Sequence, residues 1–453
     1  MSKKPSPKTG WSEPAREVPV AHEVDVLVVG GGPAGVGAAL AAARAGAQTL
    51  LVEAAGYLGG MWTLGMQTHA TCFHDGKKVI VGGIPREIID RLHAEGMAED
   101  PVAKLASGSR SFYAAFDPEA MKCVLDDLLL GSGAQLLFHT QCVGARVEKG
   151  AVAGIVTESK SGRQAIRAKV TVDCTGDADV AFLAGAPTLR GREGDARSQP
   201  VTLTFMLANA DLPRAGRWVE ENPGEREARE KRARERGELS SPNRVALGAL
   251  SVTPGVTYHN VTRVLDVDCT RAEDLTRAEV VGRKQVREIV AWYRKNIPGF
   301  ENCRLAAIAP SLGLRESRRI VGEYTLTAED VLSAREFPDG IARQNYYIDV
   351  HSPDGAGLEG CSSGTLRPPL GSSYEVPYRC LVPKERDALL VAGRCISATR
   401  EALGSARVTV CCAEMGQAAG LAAAQAARDG VPPRAIDGAA LKKKLLAMGA
   451  WVV

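Results

Sequence analysis

Gly30, Gly32 and Gly35 stand in the spacing G-x-G-x-x-G, and an acid, Glu53, follows eighteen residues after the last of them. Glycines in this pattern let a strand turn tightly into a helix (Gly30), let a pyrophosphate approach the backbone (Gly32) and let the helix pack close to the sheet (Gly35). A carboxylate at the distance of Glu53 can accept hydrogen bonds from both hydroxyls of an adenosine ribose. A glycine pair, Gly59-Gly60, comes six residues after Glu53, in the stretch that runs from Ala54 to Met61. Elsewhere Arg315, Arg318 and Arg319 fall within five residues. A guanidinium can hold a carboxylate or carbonyl in bidentate geometry, and Arg315 is the first choice to orient a substrate. The chain has only 7 histidines. His351, in NYYIDVHSPDG, is the preferred proton handler, with Cys72 and Tyr378 as further candidates. His69, Cys72 and His74 (HATCFH) invite a metal reading. A strand would turn His69 away from the other two, and structural zinc takes four ligands, so no metal site is expected.

The elements that must position these groups follow from local pattern. Val24 to Val29 is a short apolar run, as in a strand buried on both faces. Pro33 sits at a first helical position, Ala34 and many further alanines follow, and Gly46 supplies a stop. Thr49 to Glu53 reads as a second strand. Asp117-Pro118-Glu119 reads as a helix start, with Met121, Leu125, Leu128 and Leu129 on its apolar face. Strands from Gln135 to Phe138 and to about Val147, with turns at Lys149-Gly150 and Ser161-Gly162, give a three-stranded meander beside a parallel sheet. Val170 to Cys174 returns to that sheet. Ala388 to Ala392 is another buried strand, closed by Gly393, and a small-residue helix runs from about Val408 to Ala427.

Composition excludes several classes. The 453 residues carry 56 Lys+Arg against 53 Asp+Glu, a net charge of +3, which argues against a nucleic-acid surface. With 45% apolar residues the chain is not disordered, and no uninterrupted apolar run is long enough to span a membrane. The 11 cysteines are odd in number, irregularly spaced and without C-x-x-C, unlike a disulfide framework or a metal ligand set. A reducing, cytoplasmic setting is the simplest expectation. The basic N-terminus lacks an apolar segment and reads as a flexible lead-in, not a secretory signal.

Taken together, the strand–glycine loop–helix–strand–acid order and the Gly59-Gly60 pair resemble the FAD-dependent oxidoreductase family, within the glutathione-reductase and fumarate-reductase-like flavoproteins. Thr175-Gly176-Asp177 resembles that family's loop near FAD. The resemblance implies FAD contacts at Gly30, Gly32, Pro33, Ala34, Gly35, Glu53, Ala54, Gly59, Gly60 and Met61. It further implies contacts at Val143 beside adenine, at Thr175, Gly176 and Asp177, and at Gly393. Arg407, Val408 and Thr409 would lie at the flavin's pyrimidine edge, where a helix N-terminus stabilises negative charge. Relatives often carry an acid after Gly393; this chain has Arg394.

The implied fold class is α/β. A Rossmann-like FAD-binding domain, a parallel sheet with a three-stranded meander, is assembled from residues 18–61, 112–190 and 380–432. An inserted α+β cap takes residues 62–111 and 191–379, after a lead-in of 1–17 and before a C-terminal helix and tail, 433–453. In the cap, Glu225 to Glu238 reads as a solvated helix face laced by i,i+4 pairs. The implied function is hydride transfer between a small-molecule substrate and the flavin. No second glycine motif follows a strand, so no separate NAD(P)H domain is expected, and Cys72 alone near the first motif argues against a flavin–disulfide relay. Adjacent Cys411-Cys412 are expected as buried thiols, a vicinal disulfide being the alternative. The electron acceptor (oxygen, a quinone or a partner protein) and homo-oligomer formation stay open, as do two alternative functions, a flavin monooxygenase and a non-redox flavin-binding protein.

Overall fold

A computed structural model describes residues 10–451 apart from 12, 108–111 and 360–365. Most of the expected lead-in, residues 1–9 and 12, lies outside the described residues, as do the last two of the tail. β1 (Val20–Val29) begins four residues before its apolar run. It is followed by α1 (Pro33–Arg44) and β2 (Thr49–Val52). α2 (Pro118–Gly131) starts where Asp117 accepts hydrogen bonds from the amides of Glu119 and Ala120, and buries the four expected apolar residues. Then come β3 (Gln135–Leu137), β4 (Gln141–Glu148), β5 (Ala151–Ser159) and β6 (Gly162–Asp173).

The chain then leaves for a second unit. β7 (Phe205–Ala208), β8 (Val256–His259) and β9 (Arg304–Ile308) form, with the short strand Ala249–Leu250, an antiparallel sheet in the order Ala249–Leu250, β8, β7, β9. α3 (Glu225–Glu235) and the long α4 (Ala272–Asn296) belong to the same unit, whose core holds Phe205, Trp292, Tyr293 and Phe300. The charged helix α3 is not wholly solvated. Its pairs Glu225–Arg229 and Glu230–Arg234 form at 2.9 and 2.8 Å, but Arg226 and Glu230 are buried. Both are anchored on Val245, whose carbonyl takes an Arg226 N–H and whose amide donates to Glu230. Four-residue spacing puts them on one face, and that face is the covered one.

The return adds β10 (Leu389–Val391), α5 (Thr409–Asp429) and α6 (Gly438–Ala447). The main sheet runs β3-β2-β1-β6-β5-β4, with β10 also on β6. The pairs β1–β2, β2–β3, β1–β6 and β10–β6 are parallel, whereas β5 pairs antiparallel with β4 and β6. The meander is therefore continuous with the parallel sheet, not a layer beside it. β6 is long enough to bond β5 by its first half and β10 by its last three residues.

α1 and α5 pack with almost no side chain between them. A Cβ on Gly416 or Gly420 would overlap the carbonyl oxygen of Ala34 or Ala38, and one on Gly37 would overlap that of Ala413. Residues 70–92, expected in the cap, share the hydrophobic cluster of α1 and α5 through Ala70, Ile80, Ile84 and Ile88. The C-terminal segment is likewise docked: Trp451 is buried and the carbonyl of Ala450 accepts from Gly82 N.

Candidate functional site

Four turns converge on the head of α1. Gly30 has φ +100°, and a Cβ there would stand 2.6 Å from the Cys174 carbonyl oxygen; one on Gly35 would overlap the Gly30 oxygen. Both positions must be glycine for strand and helix to approach this closely. Gly32 differs: a Cβ there would meet only Gly60 Cα, at 3.9 Å, so open space lies beside the helix start. Gly32 is also the cap of α1, with Pro33 first in the helix, no side-chain cap and no acid in the first turn. The free amides and dipole of that turn thus face a gap that a phosphate would satisfy.

Glu53 points at this loop. Its Oε2 accepts the Gly31 amide at 2.6 Å and its Oε1 the Ala55 amide at 2.7 Å. Ala54 between them is exposed. The Gly59 amide donates to the Gly31 carbonyl at 2.8 Å, and Gly60 lies against Gly32. Met61 follows in a short 3-10 turn, Gly60–Trp62. From β6, Thr175 Oγ1 donates to Asp173 at 2.7 Å, and Gly176 (φ +76°) rests on the Arg394 guanidinium. Arg394 in turn pairs with Asp177 at 2.8 Å, and Gly393 (φ +95°) lies against Ala34. The basic residue after Gly393 is thus matched by the acid of the Thr175-Gly176-Asp177 turn. Val143 stands apart on β4, 37% exposed.

A second group gathers at the head of α5. Arg407, Val408 and Thr409 are half-buried, whereas the helix from Val410 to Gly420 is buried throughout. This head again has neither a side-chain cap nor an acid in its first turn. Arg407 Nη2 pairs with Asp349 Oδ2 at 3.1 Å. Asp349 Oδ1 lies 3.1 Å from His351 Nε2, and an Arg263 N–H meets His351 Nδ1. Arginine has donors only, so Nδ1 accepts and the ring proton sits on Nε2, facing the carboxylate. Burial, then Arg315, pushes His351 down to about 4, so it is neutral at pH 7. Burial opposes the charge on Asp349, but His351, Arg407 and Arg315 hold its carboxyl well below the ordinary range.

Arg315 is buried, and its one side-chain hydrogen bond among the described residues goes to the Pro200 carbonyl, at 2.6 Å. Burial first, then Arg407, lowers it to about 10. Beside it Tyr258 donates to Gln67 at 2.9 Å, and the His69 ring lies between Tyr258 (5.3 Å) and Tyr113 (6.1 Å).

The profile of the FAD dependent oxidoreductase family matches residues 25–445. The chain belongs to that family. FAD is its cofactor, and the glycine-lined gap at α1 with Glu53 aimed at it fits the adenylate half of that molecule. No curated protein matches the sequence. Solved flavoenzyme structures align at low identity. A geranylgeranyl bacteriochlorophyll reductase-like protein of Thermoplasma acidophilum is 14% identical with a TM-score of 0.46, over 94% of this chain and 83% of that one. A flavin-dependent brominase variant is 12% identical with a TM-score of 0.46, over 94% and 85%. p-Nitrophenol 4-monooxygenase of Pseudomonas putida is 14% identical with a TM-score of 0.41, over 67% and 70%. Among the described residues no helix is long and apolar enough to cross a membrane.

Not every expected catalytic residue of this oxidoreductase is placed as the sequence suggested. Tyr378 is buried against the C-terminal segment, its hydroxyl bonded to the Pro433 carbonyl. His351 faces Arg263 with Nδ1 and Asp349 with Nε2, so both ring nitrogens point at protein groups. Cys72 is buried at φ +69°, and burial raises its thiol far above the ordinary value, so it keeps its proton near neutral pH. Among the described residues no three His, Cys, Asp or Glu side chains form a metal-ligand group. Sequence reasoning missed Asp349, Arg263 and Tyr258. Asp349 alone left a signal, since Asp349 and His351 share one face if Tyr347 to His351 is extended.

Proposed function

We propose that this oxidoreductase moves a hydride between a small organic substrate and FAD without an NAD(P)H domain of its own. The arrangement that carries the reading is Arg315, Asp349, His351 and Arg407 assembled at the uncapped head of α5. Bound FAD supplies the hydride chemistry. The protein's part is position and field. Glu53 and the α1 amides hold the adenosine and phosphates, while Arg407 to Thr409 present amides and positive charge where the flavin ring becomes more negative.

Arg315 orients the substrate through the guanidinium nitrogens that the protein leaves unbonded. The Asp349 carboxylate, itself fixed by His351, holds Arg407 in place. Proton transfer falls to His69 in place of His351. Burial lowers His69 to about 4, so it is neutral at pH 7, and its Nε2 has no hydrogen-bond partner among the described residues.

Anaerobic mixing of the holoprotein with a panel of small organic acids, alcohols and amines tests this. The expected result is loss of flavin absorbance with at least one of them and no added nicotinamide. Bleaching by NADPH alone, followed by oxygen uptake and a hydroxylated product, would establish the monooxygenase alternative instead.

A further inference from the structure

At the head of α5 the arginines outnumber the carboxylates that pair with them among the described residues. Among the described residues Arg407 pairs with one carboxylate, Asp349, beside a neutral His351, while Arg263 and Arg315 make no ion pair. A buried excess of this kind is costly unless a further anion enters. The donors for such an anion are in place: among the described residues Arg315 uses one nitrogen on Pro200, and Arg407 Nε is buried with no hydrogen-bond partner. A guanidinium edge matches a planar carboxylate with two parallel hydrogen bonds.

Aromatic side chains gather beside these groups. Tyr258 lies within electrostatic reach of Arg315 and Tyr113, and Tyr113 of Asp349 and Tyr346. The Tyr346 and Tyr347 rings sit 4.4 Å apart, inclined at 35°. Tyr113 is 39% exposed, and its ring packs edge-on to His69 at 6.1 Å. Flat aromatic walls favour a flat ring in offset or edge contact.

We propose that the site takes a planar aromatic carboxylate, its charged group between Arg315 and Arg407 and its ring among Tyr113, Tyr258 and Tyr346. This rests on the hydride-transfer reading above and names its substrate class. The carboxylate supplies the missing negative charge, and the tyrosines exclude water from around the ring.

Benzoate, acetate and benzamide, titrated into the holoprotein at constant ionic strength, separate charge from ring. Binding is read by calorimetry and by the shift of the flavin spectrum. Benzoate should bind about tenfold or more tighter than acetate, which lacks the ring, or benzamide, which lacks the charge. Arg315→Met should weaken benzoate by about ten- to a hundredfold, as for loss of a charge-assisted pair, while FAD stays stoichiometric. Arg315→Lys, which keeps the charge without the planar fork, should fall between and stands in if the Met variant does not fold. Benzoate no tighter than the other two overturns the proposal. So does an Arg315 variant that loses FAD but keeps benzoate, which would assign the arginine to the cofactor's phosphates. If the flavin stays oxidised with every candidate substrate, the hydride-transfer reading fails alone, because the calorimetric comparison still reads the anion site.

Discussion

Glu53 accepts the amide proton of Gly31, 22 residues away in sequence yet 2.6 Å away in space, and so fixes the glycine loop and the ribose acid as one unit. The same carboxylate takes the Ala55 amide through its other oxygen. Loop, acid and the turn after β2 therefore stand or fall together.

Glu53→Ala removes both bonds and the ribose acceptor. FAD affinity should drop by about tenfold or more, since hydrogen bonds to a charged group are worth roughly 1.5–3 kcal/mol. Glu53→Gln keeps one acceptor oxygen and should lose less. Flavin fluorescence titration of the apoprotein measures both.

The contact of α1 with α5 makes opposite predictions for two kinds of glycine. Gly416→Ala and Gly420→Ala push a methyl into the Ala34 and Ala38 carbonyls and should each cost about 1–3 kcal/mol. Gly131→Ala, at the end of α2 with nothing within 4 Å, should be neutral or stabilise by about 0.4–1 kcal/mol. Urea unfolding midpoints distinguish them.

Acid should destabilise the fold well before carboxylates titrate. His69 and His351 are lowered to about 4 and His259 to about 3, in each case first by burial. Unfolded histidine takes a proton near 6.5, so below that pH the unfolded chain binds protons the folded one refuses. Stability present above pH 6.5 is lost on falling through the window to 4, by at most about 1.4 kcal/mol per pH unit for each histidine. His259→Gln should flatten the slope, read from unfolding at pH 7, 5.5 and 4.5. Asp349 adds a loss at lower pH, because its depressed carboxyl stabilises only while ionised.

Thiol labelling followed by peptide mass mapping should mark Cys123, which is exposed, and spare Cys72, Cys411 and Cys412 until the protein is unfolded. A Cys411–Cys412 peptide that resists labelling even after unfolding, and gains it on reduction, would show the vicinal disulfide instead.

The parts legible in the sequence were those written locally. Strand, glycine loop, alanine helix and Glu53 occur within about thirty residues, so their order alone placed them. The reactive end was legible only in pieces. Arg315 and His351 were named, but the groups that define them, Asp349 and Arg263, meet only after the cap has folded back. That is also why His351 read as a proton handler: its occupied nitrogens are a tertiary fact. Composition likewise hid the buried face of α3, where Arg226 and Glu230 look like any other solvated charges.

The most direct test is the FAD content of the purified protein, by absorption spectrum and by identification of the released flavin. One FAD per chain, retained through gel filtration, is the predicted result. A colourless chain that takes up no flavin on incubation with FAD would contradict the account at its root.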